Sequence, residues 1–411
     1  MSDRLNIKKG KVGSNTLGGY EKVSALIGSF GEIKSDAGEL AVGVPIQFRN
    51  LIEAEGFGIK ANPLLRHHIS EYFRIGGTGA SLWVLNVQAH TSFANLINDE
   101  SVKTLIAKAN GEIFQTAFAY IPQAFEYTDG IHTEMLPAIK AAQVLADWTR
   151  ETNRPLHTIL ECAGYKGASA VALNLRDIKE GETQIECNQV SVVIGQDYDF
   201  AEALTGSEQK YAAVGTLLGC MAVQPVSYNI GEVETMSLTN SVRGLWVNAG
   251  LSSHELVKDK ESELSTLNEK GYIFGEYYSG QVVFNDDHVC APVIVDDEGN
   301  MNEHTIALSR TNAKVFRELF RVYEPKLKST VPVDAQTGLL PTGIIKELEG
   351  YGDGVFDTMQ KKRELSGGET IVDPESNLLY GDKELKVSYN WVPMGVISRI
   401  SGVVNIKRAL A

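Results

Sequence analysis

No apolar run in this chain approaches the ~20 residues needed to cross a bilayer, which excludes a membrane-inserted helix. The basic start, Met-Ser-Asp-Arg-Leu-Asn-Ile-Lys-Lys-Gly-Lys, has no apolar segment behind it, so no secretory signal is expected. Cysteine is scarce. Cys162, Cys187, Cys220 and Cys290 lie far apart and form no CxxC pair, which points to reduced, buried thiols and synthesis in a cytoplasm. Also lacking are a GxSxG elbow, an HExxH helix and a readable Cys-His-Asp set. With them goes any specific pointer to a catalytic residue or a cofactor, and an enzyme is not expected.

The chain has 411 residues, 43% hydrophobic and 22% charged, which excludes a mostly disordered protein and allows two or three domains. The net charge of −14 argues against nucleic acid as the main partner. That charge is unevenly spread: residues 1–22 carry a net +3 and residues 383–411 a net +4, leaving −21 on the body between them. Basic ends on an acidic body suit contact between the end of one copy and the body of the next.

Residues 1–20 hold four glycines and few large apolar groups, and read as an extended arm. Strands are expected at 23–30, 81–87, 113–121, 156–162 and 190–194. Helices are expected at 44–55, 64–75, 101–109, 133–152 and 208–222. The alternation predicts an α/β layer with a largely parallel sheet. After about residue 250 the texture changes to a polar helix at 258–267 and short strands at 271–274, 281–284 and 289–295, with a turn at 296–300. A long helix follows at 305–328, then one at 343–365 interrupted at Gly350, Gly352 and Gly354. This gives α/β followed by α+β: an arm (1–22), an outer α/β domain (23–250), an inner α+β domain (251–384) and terminal strands (385–411).

The weak motifs have plain structural explanations. Gly76-Gly77-Thr78-Gly79 lies after a helix and before a strand, the wrong order for a phosphate cradle, and reads as a tight turn. His67 and His68 are adjacent on a helix and point to different faces. Asp286-Asp287-His288 falls in a loop. No metal site is expected from any of these.

The last stretch organises the reading. Leu385, Val387, Tyr389 and Trp391 alternate with polar residues, a strand signature. Pro393 and Gly395 break the run. A second strand-like run follows through Val396, Ile397, Ile400, Val403, Val404 and Ile406. A terminal strand either completes its own sheet or adds to a neighbour's edge. The first run is expected to stay home and the second to cross to another subunit.

In order and spacing these segments resemble the contractile tail sheath family of phages and related injection machines. The resemblance is carried by 23–33 with 44–51, by Tyr72-Phe-Arg-Ile-Gly-Gly-Thr-Gly-Ala-Ser-Leu-Trp-Val-Leu-Asn-Val, and by the small-residue helix at 212–222 before Gln224-Pro225. Leu267-Asn-Glu-Lys-Gly-Tyr-Ile-Phe and the helix bearing Arg310, Arg317 and Arg321 continue it. Segment 163–206 has no counterpart. The resemblance implies a tail-sheath-like fold with an extended arm and a C-terminal strand. It also implies a virion or particle component that polymerises with itself into hexameric rings and a helical tube around an inner tail tube protein, with baseplate and tail terminator partners. Leu5, Ile7 and Val12 of the arm and Val396, Ile400, Val403 and Ile406 of the tail would join neighbouring sheets. Lys361, Lys362 and Arg363 would face an acidic inner tube. The alternative is an α/β enzyme or ligand-binding protein with a swapped terminal strand. An inner tube subunit is disfavoured, being usually far shorter.

Overall fold

The computed structural model describes residues 20–89, 92–381 and 383–404, in two compact units. The first runs to Val226 and resumes over Ile230–Phe320. Its centre is a six-stranded sheet: β1 (Val23–Gly28), β2 (Ile46–Phe48), β3 (Ser81–Asn86), β4 (Gln115–Ala119), β5 (His157–Glu161) and β6 (Val190–Val193). The spatial order is β6-β5-β4-β1-β3-β2, parallel except for β2. Ala25 stands opposite Trp83 on one side and Thr116 on the other. Every residue of β4, β5 and β6 is buried, which explains why their sequences read as continuous runs rather than alternating ones.

Helices α1 (Pro63–Gly76), α2 (Glu100–Lys108), α3 (Met135–Glu151) and α4 (Val214–Val223) connect or cover these strands. Asn62 starts α1, its Oδ1 accepting from Leu65 N at 2.8 Å, with Pro63 in the first turn. Gly77 (φ +64°) and Gly79 (φ +87°) make the turn into β3. Helix α4 lies close against α1 because Gly219 has no side chain: a Cβ there would sit 3.0 Å from Tyr72 O.

Several expected elements differ. Residues 44–55 are not one helix but the edge strand β2 and a short helix, Leu51–Glu55. Asn50 divides them by capping Glu53 N at 2.9 Å. Residues 271–274 and 289–295 form only isolated bridges, and the hairpin that does form is β7 (Gly275–Tyr278) with β8 (Gln281–Phe284).

The helix α5 (Ile306–Tyr323) begins on Asp287, whose carboxylate accepts from Ala307 N at 2.9 Å. Its buried face carries charge. Arg310 Nη2 donates to Met221 O at 2.6 Å, at the carbonyl end of α4. Arg317 donates to the Ile113 and Pro155 carbonyls, each at 2.7 Å. Lys314 pairs with Glu21, and Tyr20 OH donates to Glu318 at 2.5 Å. Burial pulls both arginines down to about 10. Arg310 and Arg317 are therefore internal staples while Arg321 is exposed, and Tyr20 and Glu21, at the base of the arm, are anchored to α5.

Buried groups give this unit a pH signature. Burial pushes the Glu161 carboxyl up to about 8 and that of Asp197 up to about 7. Burial also holds the imidazoles of His67, His68 and His157 down at about 3. The carboxyls stabilise the fold when protonated. Their contribution is full below their unfolded values and is lost as pH rises through 7–8. The imidazoles lose stability as pH falls below their unfolded value, so the two sets oppose one another from roughly pH 4.5 to 6.5. Above that only the carboxyls act. Tm is expected to fall between pH 6.5 and 8.5, and Asp197→Asn to reduce that fall; an unchanged slope in a thermal melt series would contradict this.

The second unit comprises Ser227–Asn229 and the chain from Arg321 onward. It holds α6 (Thr342–Lys361) and the antiparallel pair β9 (Gly367–Val372) and β10 (Val387–Val392). Leu340, Leu348 and Val372 form its small core. Contrary to expectation, α6 runs unbroken through its glycines. Gly352 is where the strand meets the helix: a Cβ there would lie 3.1 Å from Thr370 Cβ. Gly350 and Gly354 have nothing within 4 Å. Replacing either by Ala should stabilise this unit by about 1 kcal/mol. Gly352→Ala should destabilise it by ~1–3 kcal/mol. Denaturation followed by hydrogen exchange of the α6 amides would distinguish the two.

Candidate assembly interface

A two-stranded sheet is marginal alone; here α6 covers one face, but the edges also have to be satisfied. Asp373 N donates to Lys386 O at 2.9 Å. With the β9–β10 register this puts the ladder bonds on the 371/388 and 369/390 pairs. The amides of the intervening residues point outward. On β9 those outward donors are taken by α6: Thr370 N by Asp353 Oδ1 at 2.8 Å, and Val372 N by Glu349 Oε1 at 3.2 Å. The corresponding edge of β10, at Val387, Tyr389 and Trp391, has no such cover among the described residues. Beside it lies a groove of about 1120 Å³ lined by Leu327, Val331, Val333, Leu378 and Leu385. Asp353 and Glu349 escaped the sequence reading because on a helix they look like solvated acids.

The expected joining residues fall on both sides of the described region. The run at 385–391 does stay home, as β10. Val396, Ile400 and Val403 follow it with no partner strand among the described residues, and are 52%, 87% and 86% exposed. Leu5, Ile7, Val12 and Ile406 lie outside the described residues. Lys361, Lys362 and Arg363 are exposed at the end of α6, with Arg363 at φ +60° and its carbonyl accepting from Ser227 Oγ at 3.1 Å.

The positions weighed for other chemistry are occupied structurally. Open α/β sheets take ligands at the carboxyl ends of strands, where the strand order reverses. Here that is the gap between β1 and β4, and Phe30 fills it: a Cβ on Gly28 would lie 2.6 Å from Phe30 Cζ and 2.8 Å from Ala119 O. Asn86 Oδ1 accepts from Phe30 N at 3.0 Å, and Phe93 stacks on Tyr120 with ring centres 4.7 Å apart. His67 stacks on Phe200 at 3.6 Å. His288 is held between Arg176 at 2.6 Å and Asn268 at 2.9 Å. Among the described residues no group of three or more His, Cys, Asp or Glu is placed to hold a metal, and no helix is long and apolar enough to cross a membrane.

No curated protein matches the sequence. The chain is similar in structure to one from the anti-feeding prophage (AFP) baseplate, with a TM-score of 0.59 and 12% identity, covering 100% of this chain and 99% of that one. It is also similar to the sheath tail protein from Desulfitobacterium hafniense, with a TM-score of 0.52 and 10% identity, covering 95% of this chain and 100% of that one. At such identities the likeness is one of fold, and the fold is tail-sheath-like. A family model described as DUF2586, N-terminal domain, matches residues 10–282. That match spans well over half of the sequence, and the chain belongs to the DUF2586 family.

Proposed function

We propose that this protein is the sheath subunit of a contractile particle, a structural component and not an enzyme. Copies made in a bacterial cytoplasm polymerise as hexameric rings into a helical tube around an inner tail tube, bounded by baseplate and terminator proteins. Contraction is a switch between two lattices whose energy is stored at assembly. The observation that carries this reading is the pairing of a β10 edge that has no cover among the described residues with an exposed apolar run, 396–404, that has no strand partner among them. Residues 1–22 act as the joining arm and 385–411 as the joining strands, with the outer (23–250) and inner (251–384) parts of the body between them.

Negative-stain microscopy of the purified protein tests the reading. Cogwheels, rings or tubes are expected; compact dimers or tetramers would overturn it in favour of a ligand-binding protein or enzyme with an exchanged strand. The reading also has Lys361, Lys362 and Arg363 facing the acidic inner tube. Changing all three to Glu should abolish docking of the inner tube while sheath polymers still form, as a co-sedimentation assay would report.

A further inference from the structure

The first unit carries a protrusion at one end of its parallel sheet and a socket at the other. The protrusion is the hairpin at 291–302. It is a built element: Val295 bridges Met301, and Asn302 ties its base through Pro292 O at 2.9 Å and Ile294 N at 3.0 Å. Asp296 closes the tip, accepting from Asn300 N at 2.7 Å and Asn300 Nδ2 at 2.8 Å. Its flanks expose Val293, Val295 and Met301, about half of each side chain, and its tip presents Asp297 and Glu298. Asn302 donates to Glu186 at 3.2 Å, and the adjoining Glu303 accepts from Arg150 and Asn188. These partners precede β5 and β6, so the hairpin stands at the amino ends of those strands.

The socket opens at the carboxyl ends of β4 and β5, a cavity of about 650 Å³. Phe125 and Tyr127 form its wall, with near-parallel rings 6.0 Å apart. Lys210 lies 5.2 Å from the Phe125 ring and Lys166 lies 4.9 Å from that of Tyr127. Neither ammonium group is in ion-pair reach of a carboxylate among the described residues. The acids nearby, Glu255 and Glu263, are already held by Lys260 at 3.0 and 3.6 Å. The Tyr165 hydroxyl and Ser253 Oγ are buried there without hydrogen-bond partners.

We infer that the 291–302 hairpin of one copy enters this socket on the next. Its carboxylates meet Lys166 and Lys210, and its apolar flanks meet the aromatic wall. A strand of five residues keeps the two ends roughly 16 Å apart, so a copy does not fill its own socket. A contact between unlike surfaces of identical subunits propagates instead of closing as a pair. The inference rests on the proposed polymer and identifies one of its lateral contacts.

The full-length chain tests it by charge exchange. K166E/K210E should lose tubes, D297K/E298K should lose them too, and the chain carrying all four changes should regain them. A second measurement does not need such drastic variants. Lys210→Cys chains mixed with Asp297→Cys chains under polymerising conditions should give cross-linked heterodimers on oxidation, while neither alone should; the native cysteines are buried. Normal tubes from K166E/K210E, loss without rescue in the fourfold variant, or absence of the cross-link in mixed tubes would overturn the inference and leave the sheath reading standing. A wild-type chain that forms no polymer would remove both.

Discussion

Chains ending at residue 395 are expected to remain folded monomers and to make no tubes. The described part of the deleted segment, 396–404, lies outside both cores: Ile397, Ile400, Val403 and Val404 are each more than four-fifths exposed. Its value lies in what it adds to a neighbour. A strand of about six residues brings ladder bonds at ~0.5–1.5 kcal/mol each and buries apolar side chains at ~1.5–3 kcal/mol each. Ordering it costs about 1–2 kcal/mol per residue. One exchange is therefore near balance, and durability comes from several exchanges tied together through folded bodies. Removing one class of exchange should lower tube yield to background, not by a modest factor. Gel filtration and circular dichroism would report the intact monomer, and electron microscopy the missing tubes. Abundant tubes from the shortened chain would defeat the reading.

Lys314→Met is expected to cost ~3–5 kcal/mol of stability, because it strands the Glu21 carboxylate in a buried site. Replacing both partners, Glu21→Leu with Lys314→Met, should recover most of that loss, since an apolar pair removes the need for charge compensation. Urea denaturation of the three variants gives the coupling directly. A single-variant loss below about 1 kcal/mol would show that the pair is effectively solvated. The single variant should also depress tube formation beyond its effect on folding, because Tyr20 and Glu21 fix the base of the arm on α5.

Much of the framework was legible in the residues. The strands of the parallel sheet stand out as short apolar runs because both faces are covered, and β10 stands out by alternation because only one face is. Helices α1 and α3 announce themselves by apolar spacing. Failures have a common origin: a sequence gives period but not partner. Residues 44–55 carry helical spacing on both sides of the Asn50 cap, and the pairing of Ile46 with Val84, which makes the first part a strand, is not visible in that spacing. The glycines of α6 look like breaks, yet Gly352 is the place where a strand presses on the helix. Nothing in the sequence marks Arg310 and Arg317 of α5 as buried, yet both are spent on backbone carbonyls. At the proposed interface, the apolar character of the run after β10 is readable from composition, whereas the acids beside the β9 edge and the proposed hairpin and socket depend on which surfaces the fold brings to each end.

The asymmetry of the small hairpin has a consequence for a finished particle. With the Thr370 and Val372 amides of β9 taken by Asp353 and Glu349 and the β10 edge uncovered among the described residues, strand donation in the proposed polymer runs in one sense only. A stack built this way terminates differently above and below: one rim is left with vacant acceptors, the opposite rim with surplus donors. Whatever closes the first rim has to supply a strand, and whatever closes the second has to present an edge, so one kind of cap does not serve both.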